Sequence, residues 1–429
     1  MDPTVVAAWI AAGVSVMTLA GTLAAQYFGY RATSRDAERT ASKAAEDQRK
    51  QLDRTFAEQR DQLDRTLAEQ SQQLDRTLAE QRTRTLNERF ATAAEQLGSD
   101  KPAVRLAGVY ALAGLADDWA ESRQTCVDVL CAYLRMPYEP DPGQDAAEPQ
   151  RLAFQAFREV RRTVIRVVTA HLREDAAVPW QGLNFDFRGV VFDGGDFAGA
   201  RFSGGRLGFN GARFSGGVVS FRDTKFSGGM VDFNHAWFSG GLVIFDGAEF
   251  SGSTVIFTGV RFSGGTVTFD GAKFSGGLVN FPGAEFSGGT VKLSAEFSGG
   301  LVNFNQARFS GGWVGFHDAQ FSGGTVDFTS AEFSGGTVYF NNARVCGGTV
   351  EFDSAMLTGT AVIFNGTEFS GGLVNFGGAR FRSPVDFSNA GFSGGEVDFS
   401  EVFDWSVPPA FPWTGAPPPG VKLPAGKPV

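Results

Sequence analysis

The sequence predicts an α+β multidomain protein in which three helical segments precede a parallel β-solenoid. Residues 3–30 carry no charge, a charged block repeats with a period of eleven at 52–81, and Phe-Ser-Gly-Gly returns with a period of twelve from Phe202 onward. Such fixed periods are typical of coiled coils and solenoids. The predicted segments are a transmembrane helix at 4–30, a coiled-coil or helical stalk at 34–97, a helical domain with N-cap at 98–175, the solenoid at 183–404, and a Pro-rich tail with C-cap at 405–429.

The first segment predicts a single-pass membrane anchor. A helix of about 20 apolar residues crosses a bilayer, and 4–30 exceeds that length. A cleaved signal peptide is the alternative, but the segment has no basic leader and its apolar run is long for a signal core. Arg31, Arg35 and Arg39 follow the run, and the positive-inside rule then puts the bulk of the chain in the cytoplasm at the cell membrane.

The second segment predicts a polar helix. The block Leu52–Gln59 recurs at Leu63–Gln70 and Leu74–Gln81, and a period of eleven suits a nearly straight or slightly right-handed coiled coil. Arg and Glu four residues apart in each block support the helix. Self-association along its thin apolar seam is a hypothesis, and a lone charged helix that acts as a spacer is the alternative.

The third segment predicts a small all-α domain that closes the solenoid. Apolar residues follow helical spacing after Pro102, and further helices are predicted from Gln124 to Leu134 and from Gln150 to His171. An open coil presents unpaired strand edges, which solenoids cover at their ends. We therefore expect the helix that ends near His171, together with Val178 and Trp180, to cap the first coil.

Each unit of the solenoid predicts one half-buried strand. Counted from the opening Phe, a Val or Leu stands at plus five, a Phe at plus seven and usually an Ala at plus ten. Residues two apart face the same side of a strand, and the Gly-Gly pair supplies a corner. Side-chain volume favours two 12-residue units per coil, about 24 residues, because one unit per coil would overfill its layer. Three units per coil remain the alternative.

The start of the array resembles a known family. Four phenylalanines spaced by five residues lie between Phe187 and Phe202, and the step from plus seven to the next opening Phe is again five. This pattern resembles the pentapeptide-repeat proteins, which implies a right-handed quadrilateral β-helix. With the anchor, the stalk and a stretch at 104–115 similar to one HEAT or armadillo unit, the whole resembles membrane-anchored pentapeptide-repeat proteins of actinobacteria. The seven-residue step inside each unit departs from the family pattern.

The composition of residues 405–429 predicts that the strand ladder of the solenoid ends before them. Proline at the density found in 405–429 is incompatible with a continuing strand ladder. We expect Trp405, Phe411 and Trp413 to cover the last Phe layer and the remaining residues to be disordered. A partner that reads proline-rich sequence is the alternative role for the tail.

The sequence contains no recognisable set of catalytic, cofactor-binding or metal-binding residues, so we expect no enzyme activity and no cofactor. His171, His235 and His317 are scattered, and the latter two are expected on the surface. Cys126 and Cys131 are expected in the helical core, and with Cys346 they form an odd, scattered set that suits a reducing compartment. The recurrent Ser has no paired His and is interpreted as a turn residue.

The sequence favours a non-catalytic interaction scaffold with an unknown protein partner. Outward positions plus four and plus six carry apolar residues that form the candidate contact surface: Leu242, Ile244, Ile256, Trp313 and Tyr339. The family resemblance implies an alternative, a DNA-mimic regulator of a topoisomerase such as gyrase. The net charge of −9 argues against direct nucleic-acid binding.

Overall fold

A computed structural model describes residues 2–139, 141–359 and 361–426, without the side chains of residues 30 and 32–36. The side chain of Arg35, from the predicted basic cluster, and residues 427–429 of the predicted tail therefore lie outside the described part of the chain. The chain divides into two compact units, Met1–Thr85 and Leu86–Val429. Each unit is described by itself.

Helix α1, Pro3–Leu97, makes up the described part of the first unit and continues into the second. Its segment Pro3–Gly29 contains an 18-residue window with a mean hydropathy of 1.8, and it is long and apolar enough to cross a membrane by length and composition. Residues 34–97, the predicted stalk, are helical as expected. Threonines of the repeated blocks donate to the carbonyl four residues earlier, as Thr66 Oγ1 does to Gln62 O at 2.8 Å.

The helices of the second unit agree with the predicted positions. They are α2 Pro102–Asp118, α3 Arg123–Arg135 and α4 Glu148–Leu172, with a 3-10 turn at Ala120–Ser122. The last turns of α1 pack on them through buried Leu86, Ala93 and Leu97. Gly108 of α2 allows this approach, since a Cβ there would lie 2.5 Å from Leu97 N.

The described residues after α4 form 29 short strands, paired in parallel into two sheets. In chain order they are β1 Phe185–Asp186, β2 Val191–Phe192, β3 Gly195–Asp196, β4 Arg201–Gly208, β5 Arg213–Phe214, β6 Val218–Ser220, β7 Lys225–Asp232, β8 Trp237–Phe238, β9 Leu242–Ile244, β10 Glu249–Phe250, β11 Thr254–Ile256, β12 Arg261–Thr268, β13 Lys273–Phe274, β14 Leu278–Asn280, β15 Glu285–Lys292, β16 Glu296–Phe297, β17 Leu301–Asn303, β18 Arg308–Gly315, β19 Gln320–Phe321, β20 Thr325–Asp327, β21 Glu332–Tyr339, β22 Arg344–Glu351, β23 Met356–Leu357, β24 Ala361–Ile363, β25 Glu368–Asn375, β26 Arg380–Phe381, β27 Val385–Asp386, β28 Gly391–Asp398 and β29 Val421–Lys422. Sheet 1 contains β1, β4, β7, β10, β11, β13, β14, β16, β17, β19, β20, β22, β25, β28 and β29, and sheet 2 contains the other fourteen.

The strand register confirms two units per coil and excludes three. Glu249 pairs with Lys225 on one side and with Lys273 on the other, 24 residues away in each direction. The result is a parallel β-solenoid of about 10 coils. The 12-residue units from Phe202 onward predict only eight or nine coils, and strands before Phe202 and in the tail extend the stack.

Phenylalanines fill the interior as four stacked ladders, one for each Phe of a coil. Successive rings are nearly parallel: Phe257 and Phe281 have centroids 4.4 Å apart at 2°. One ladder runs through Phe209, Phe233, Phe257, Phe281, Phe304, Phe328, Phe352, Phe376 and Phe399. The inward facing predicted for plus five, plus seven and plus ten is confirmed, since those residues form the buried core.

The Gly-Gly pairs are required by the close stacking of coils. Gly265 has φ +70°, and a Cβ on its neighbour Gly264 would lie 2.6 Å from Ser239 O of the previous coil. A second left-handed position falls nine residues after the opening Phe and accepts Gly or a short polar residue, such as His235 at φ 56° and Asn342 at φ 55°. Most units therefore turn twice through left-handed backbone, which favours these residue types.

Helix α4 packs against β3 at the start of the solenoid, where the N-terminal cap is predicted. Trp180 is fully buried and its backbone N–H donates to His171 O at 2.9 Å. Its ring stacks on His171 at 4.0 Å, and its Nε1 donates to Asp117 Oδ1 at 3.0 Å. The buried Arg161 joins α3 to the first coil, because it donates to Leu134 O at 2.7 Å and to Val191 O at 2.8 Å.

The predicted end of the ladder after Phe403 is wrong. Val421 pairs in parallel with Val397, so β29 extends sheet 1 within the stretch predicted to be disordered. Several tail carbonyls accept here: Val397 N–H donates to Gly420 O and Phe387 N–H to Ala410 O, while Ala410 N–H donates in turn to Val385 O. Proline removes a donor and leaves its carbonyl, so a Pro-rich segment is able to fill an accepting role.

The predicted aromatic cover of the last layer is confirmed. Three tail rings contact the ends of the Phe ladders: Trp405 lies 5.3 Å from Phe381, Phe411 lies 5.5 Å from Phe387, and Trp413 lies 5.0 Å from Phe392.

Candidate interaction surface

The five predicted contact residues occupy separate places on the solenoid. Leu242 and Ile244 lie on β9 of sheet 2, whereas Ile256 lies on β11 of sheet 1. Trp313 and Tyr339 lie on the adjacent strands β18 and β21, with ring centroids 5.4 Å apart. All five are half-buried. The structure brings together the first pair and the last pair, and it does not form one cluster from all five.

In sheet 1, most polar side chains six residues after an opening Phe accept a hydrogen bond within a turn. The Asp327 carboxylate accepts from Thr329 N–H at 2.8 Å, and the Asn303 side chain accepts from Asn305 N–H at 2.7 Å. Such side chains mimic one arm of a backbone turn. These outward polar residues are therefore committed to the coil's own geometry.

The residue before each opening Phe forms a second outward column, in which opposite charges often face each other in successive coils. On sheet 2, Glu285 Oε2 lies 3.2 Å from Arg261 Nε, and Arg308 Nε lies 3.9 Å from Glu332 Oε2. These pairs are well exposed and each is worth little. Their alternation leaves this side of the solenoid without a continuous field of one sign.

A groove between α4 and the first strands of sheet 2 was missed by the sequence analysis. Its volume is about 860 Å³; α4 contributes Arg162 and Arg166 to it, and Arg173 follows directly after the helix. The sheet contributes Val218 and Ile244, among other residues. Val218, with 50% of its surface exposed, is one of the few exposed large apolar residues of the solenoid.

Four arginines give this groove positive charge. Arg166 Nη2 contacts Glu159 Oε1 at 2.9 Å, and Arg222, on the sheet side, lies 3.5 Å from Asp246. Arg162 donates to a backbone carbonyl at 3.3 Å, while its buried Nε has no hydrogen-bond partner. The Arg173 side chain is exposed, and no ion pair engages it within the described part of the chain.

A signal for the groove exists in the sequence. Arg162 and Arg166 are four residues apart, which puts them on one face of the predicted helix, and Arg173 follows soon after its end. The partner face, however, depends on where α4 lies against the first coil, and no local pattern gives that placement.

Two histidines and two cysteines lie where the sequence predicts. His235 and His317 are exposed, and Cys126 and Cys131 are buried in the helical domain. Burial raises the pKa of Cys131 to about 12, so this thiol stays protonated at neutral pH. Among the described residues no group of three or more His, Cys, Asp or Glu side chains is placed to hold a metal ion.

Comparison with known proteins gives no relative. No protein-family model matches the chain, and no curated protein and no solved structure matches it significantly. The description as a parallel β-solenoid therefore rests on the strand register and the stacked Phe rings.

Proposed function

We propose that this protein is a membrane-anchored pentapeptide-repeat β-solenoid, right-handed and four-sided, that acts as a non-catalytic protein-interaction scaffold at the cytoplasmic face. The observation that carries the proposal is the capped, parallel stack of about 10 coils built on four aromatic ladders. A close-packed aromatic interior gives a stiff body that keeps its outer side chains at fixed spacings. The five-residue Phe spacing supports the family assignment.

The membrane part of the proposal rests on α1. The segment Pro3–Gly29 has the length and hydropathy of a spanning helix. Arg31 and Arg39 follow it closely, and basic residues beside a span favour the cytoplasmic side. The lipid bilayer is thus the first partner that we assign to the chain.

We further assign a second copy of the chain as a partner of the stalk. In a single chain the apolar residues of the repeated blocks have between 50% and 61% of their surface exposed. Their spacing of four and seven residues, repeated every eleven, makes a continuous stripe on a helix. The stripe contains Leu52, Phe56, Leu63, Leu67, Leu74 and Leu78.

The alternative function, a DNA-mimic regulator of gyrase, has weaker support. A DNA mimic requires rows of uncompensated carboxylates, but Glu285 lies between Arg261 and Arg308 in its column. The full chain in detergent, added to a gyrase supercoiling assay, tests this alternative. We expect no inhibition at micromolar protein, and inhibition at that level would favour the mimic over the scaffold.

Proximity labelling tests the scaffold directly. A labelling enzyme is fused to the full chain, and to a chain that lacks residues 185–405 but keeps the anchor and stalk. We expect a reproducible set of labelled proteins that disappears on deletion of the solenoid. Recovery of the same set from the shortened chain would contradict the proposal.

A further inference from the structure

We propose that the groove between α4 and sheet 2 binds an acidic, amphipathic peptide segment of the scaffold's protein partner. This inference rests on the proposed function and adds the site and the chemistry of its ligand. The groove, defined by α4 on one side and β3, β6 and β9 on the other, has a volume of about 860 Å³. That is ample for several side chains of an extended segment.

The charge of the groove selects an acidic ligand. Arg162, Arg166, Arg173 and Arg222 line it, against the carboxylates of Glu159 and Asp196 in the lining and of Asp246 beside Arg222. A local excess of arginine stands out in a chain whose net charge is −9. Guanidinium groups pair with carboxylates in two-pronged geometry, and complementary potentials raise association rates and specificity.

The floor of the groove selects an amphipathic ligand. Exposed Val218 and half-buried Ile244 present apolar surface, with Ala198 and Ala170 beside them. Apolar side chains on every second residue of an extended peptide would cover this surface. Phosphate groups gain nothing from it, which favours a peptide over a nucleic acid or a lipid headgroup.

The groove is formed in advance of any ligand. Thr169 Oγ1 of α4 donates to Asp196 O at 2.8 Å, which ties the helix to β3. Gly195 permits this approach, since a Cβ there would lie 2.9 Å from Ile165 Cδ1. A preorganised site does not have to order its own loops when it binds.

Fluorescence anisotropy with defined probes tests the proposal. The full chain in detergent is titrated into a labelled peptide in which Leu alternates with Glu. The comparison probes are a peptide that alternates Leu with Lys, one that alternates Ser with Glu, and a short single-stranded DNA. We expect the Leu–Glu peptide to bind at least about tenfold more tightly than each of the others, with affinity falling as salt rises. Equal or tighter binding of the DNA or of the Leu–Lys peptide would overturn the assignment.

Charge reversal locates the site. We expect the pair Arg166→Glu and Arg173→Glu to weaken Leu–Glu binding by about tenfold or more. The matched control pair, Lys292→Glu and Arg344→Glu, changes the net charge equally at exposed solenoid positions and should leave affinity within about twofold. Similar losses in both pairs would mean nonspecific attraction and would overturn the groove as the site.

A variant of Val218 distinguishes the contribution of the apolar floor from that of the arginines. Val218→Ser should weaken the Leu–Glu peptide several-fold and leave the weak binding of the Ser–Glu peptide unchanged, since only the former covers Val218. Unchanged Leu–Glu affinity would overturn the role of the floor. In cells, a labelled set that needs residues 185–405 but tolerates the Arg166/Arg173 reversal would overturn the groove alone. A set that survives the deletion would overturn the scaffold function itself.

Discussion

The solenoid and the stalk are both strict sequence repeats, and they treat their apolar residues in opposite ways. In the solenoid the repeated Phe, Val and Ala are buried within the same chain; Phe304, for example, is fully buried. In the stalk the repeated Leu74 keeps 60% of its surface exposed. A period of twelve thus builds a body that buries its own apolar residues, whereas a period of eleven builds a helix whose apolar stripe stays exposed in a single chain.

The largest expected effect comes from opening one aromatic ladder. Phe304→Ala removes a ring that stacks on Phe281 at 4.8 Å and on Phe328 at 4.9 Å. We expect a loss of about 3 to 5 kcal/mol in the free energy of unfolding, measured by denaturant titration. Leu74→Ala is the control from the stalk, and it should leave solenoid unfolding unchanged. Equal shifts for the two variants would break the comparison.

The next effect comes from the coil corner. Gly265→Ala imposes a left-handed φ of +70° on Ala and places its Cβ 2.6 Å from backbone atoms of the previous coil. We expect a loss of about 2 to 3 kcal/mol. Gly271→Ala is matched in φ, at +66°, with nothing within 4 Å of the added Cβ, and it should cost about 1 kcal/mol. The same thermal shift for both would show that close stacking is not the reason for the Gly-Gly pairs.

A smaller effect is expected at an outward position. Because the Asn303 side chain faces outward, Asn303→Ala is expected to lower the free energy of unfolding by under about 0.5 kcal/mol. The hydrogen bond from Asn305 N–H at 2.7 Å raises the expected cost to about 1 kcal/mol. Denaturant titration of Asn303→Ala and Phe304→Ala measures the loss in free energy of unfolding for each variant. A loss at Asn303 as large as that at Phe304 would contradict the assigned outward facing of Asn303.

The smallest effect concerns the last coil at acid pH. Hydrogen bonds from Ser406 and then from Arg382 hold the pKa of Asp404 at about 2, below its ordinary value of 3.8. A lowered pKa means that this carboxylate favours the folded tail above about pH 4 and that its contribution is lost as the pH falls toward 2. We expect tryptophan fluorescence from the tail to change over that range, and Asp404→Asn to remove the change in part. The same acid transition in the variant would assign it to other carboxylates.

The solenoid interior was predictable because its residues carry two periods at once. Twelve-residue spacing gives the unit, and the two-residue step from Val302 to Phe304 gives the facing. The coil size was also readable from charge: Glu249 and Lys273 are 24 residues apart with opposite signs, as are Arg261 and Glu285, and the pairs meet in the structure. Volume alone left the alternative of three units open.

Three features were beyond local patterns. The tail pairs through carbonyls such as Gly420 O, and proline density reports only on donors. The contact surface was predicted from single outward residues, and these fall on different sheets, as Ile256 and Leu242 do. The groove depends on how α4 packs against the first coil, which is a long-range placement.

Hydrogen exchange of the full chain in detergent, at several protein concentrations, tests the contrast between the two repeats most directly. We expect the amides of 202–399 to be strongly protected at every concentration, because their ladders are internal. Protection at 52–81 should rise with concentration as the apolar stripe of a second copy covers Leu63 and its neighbours. Solenoid amides that exchange rapidly, or stalk amides whose protection does not depend on concentration, would contradict the account.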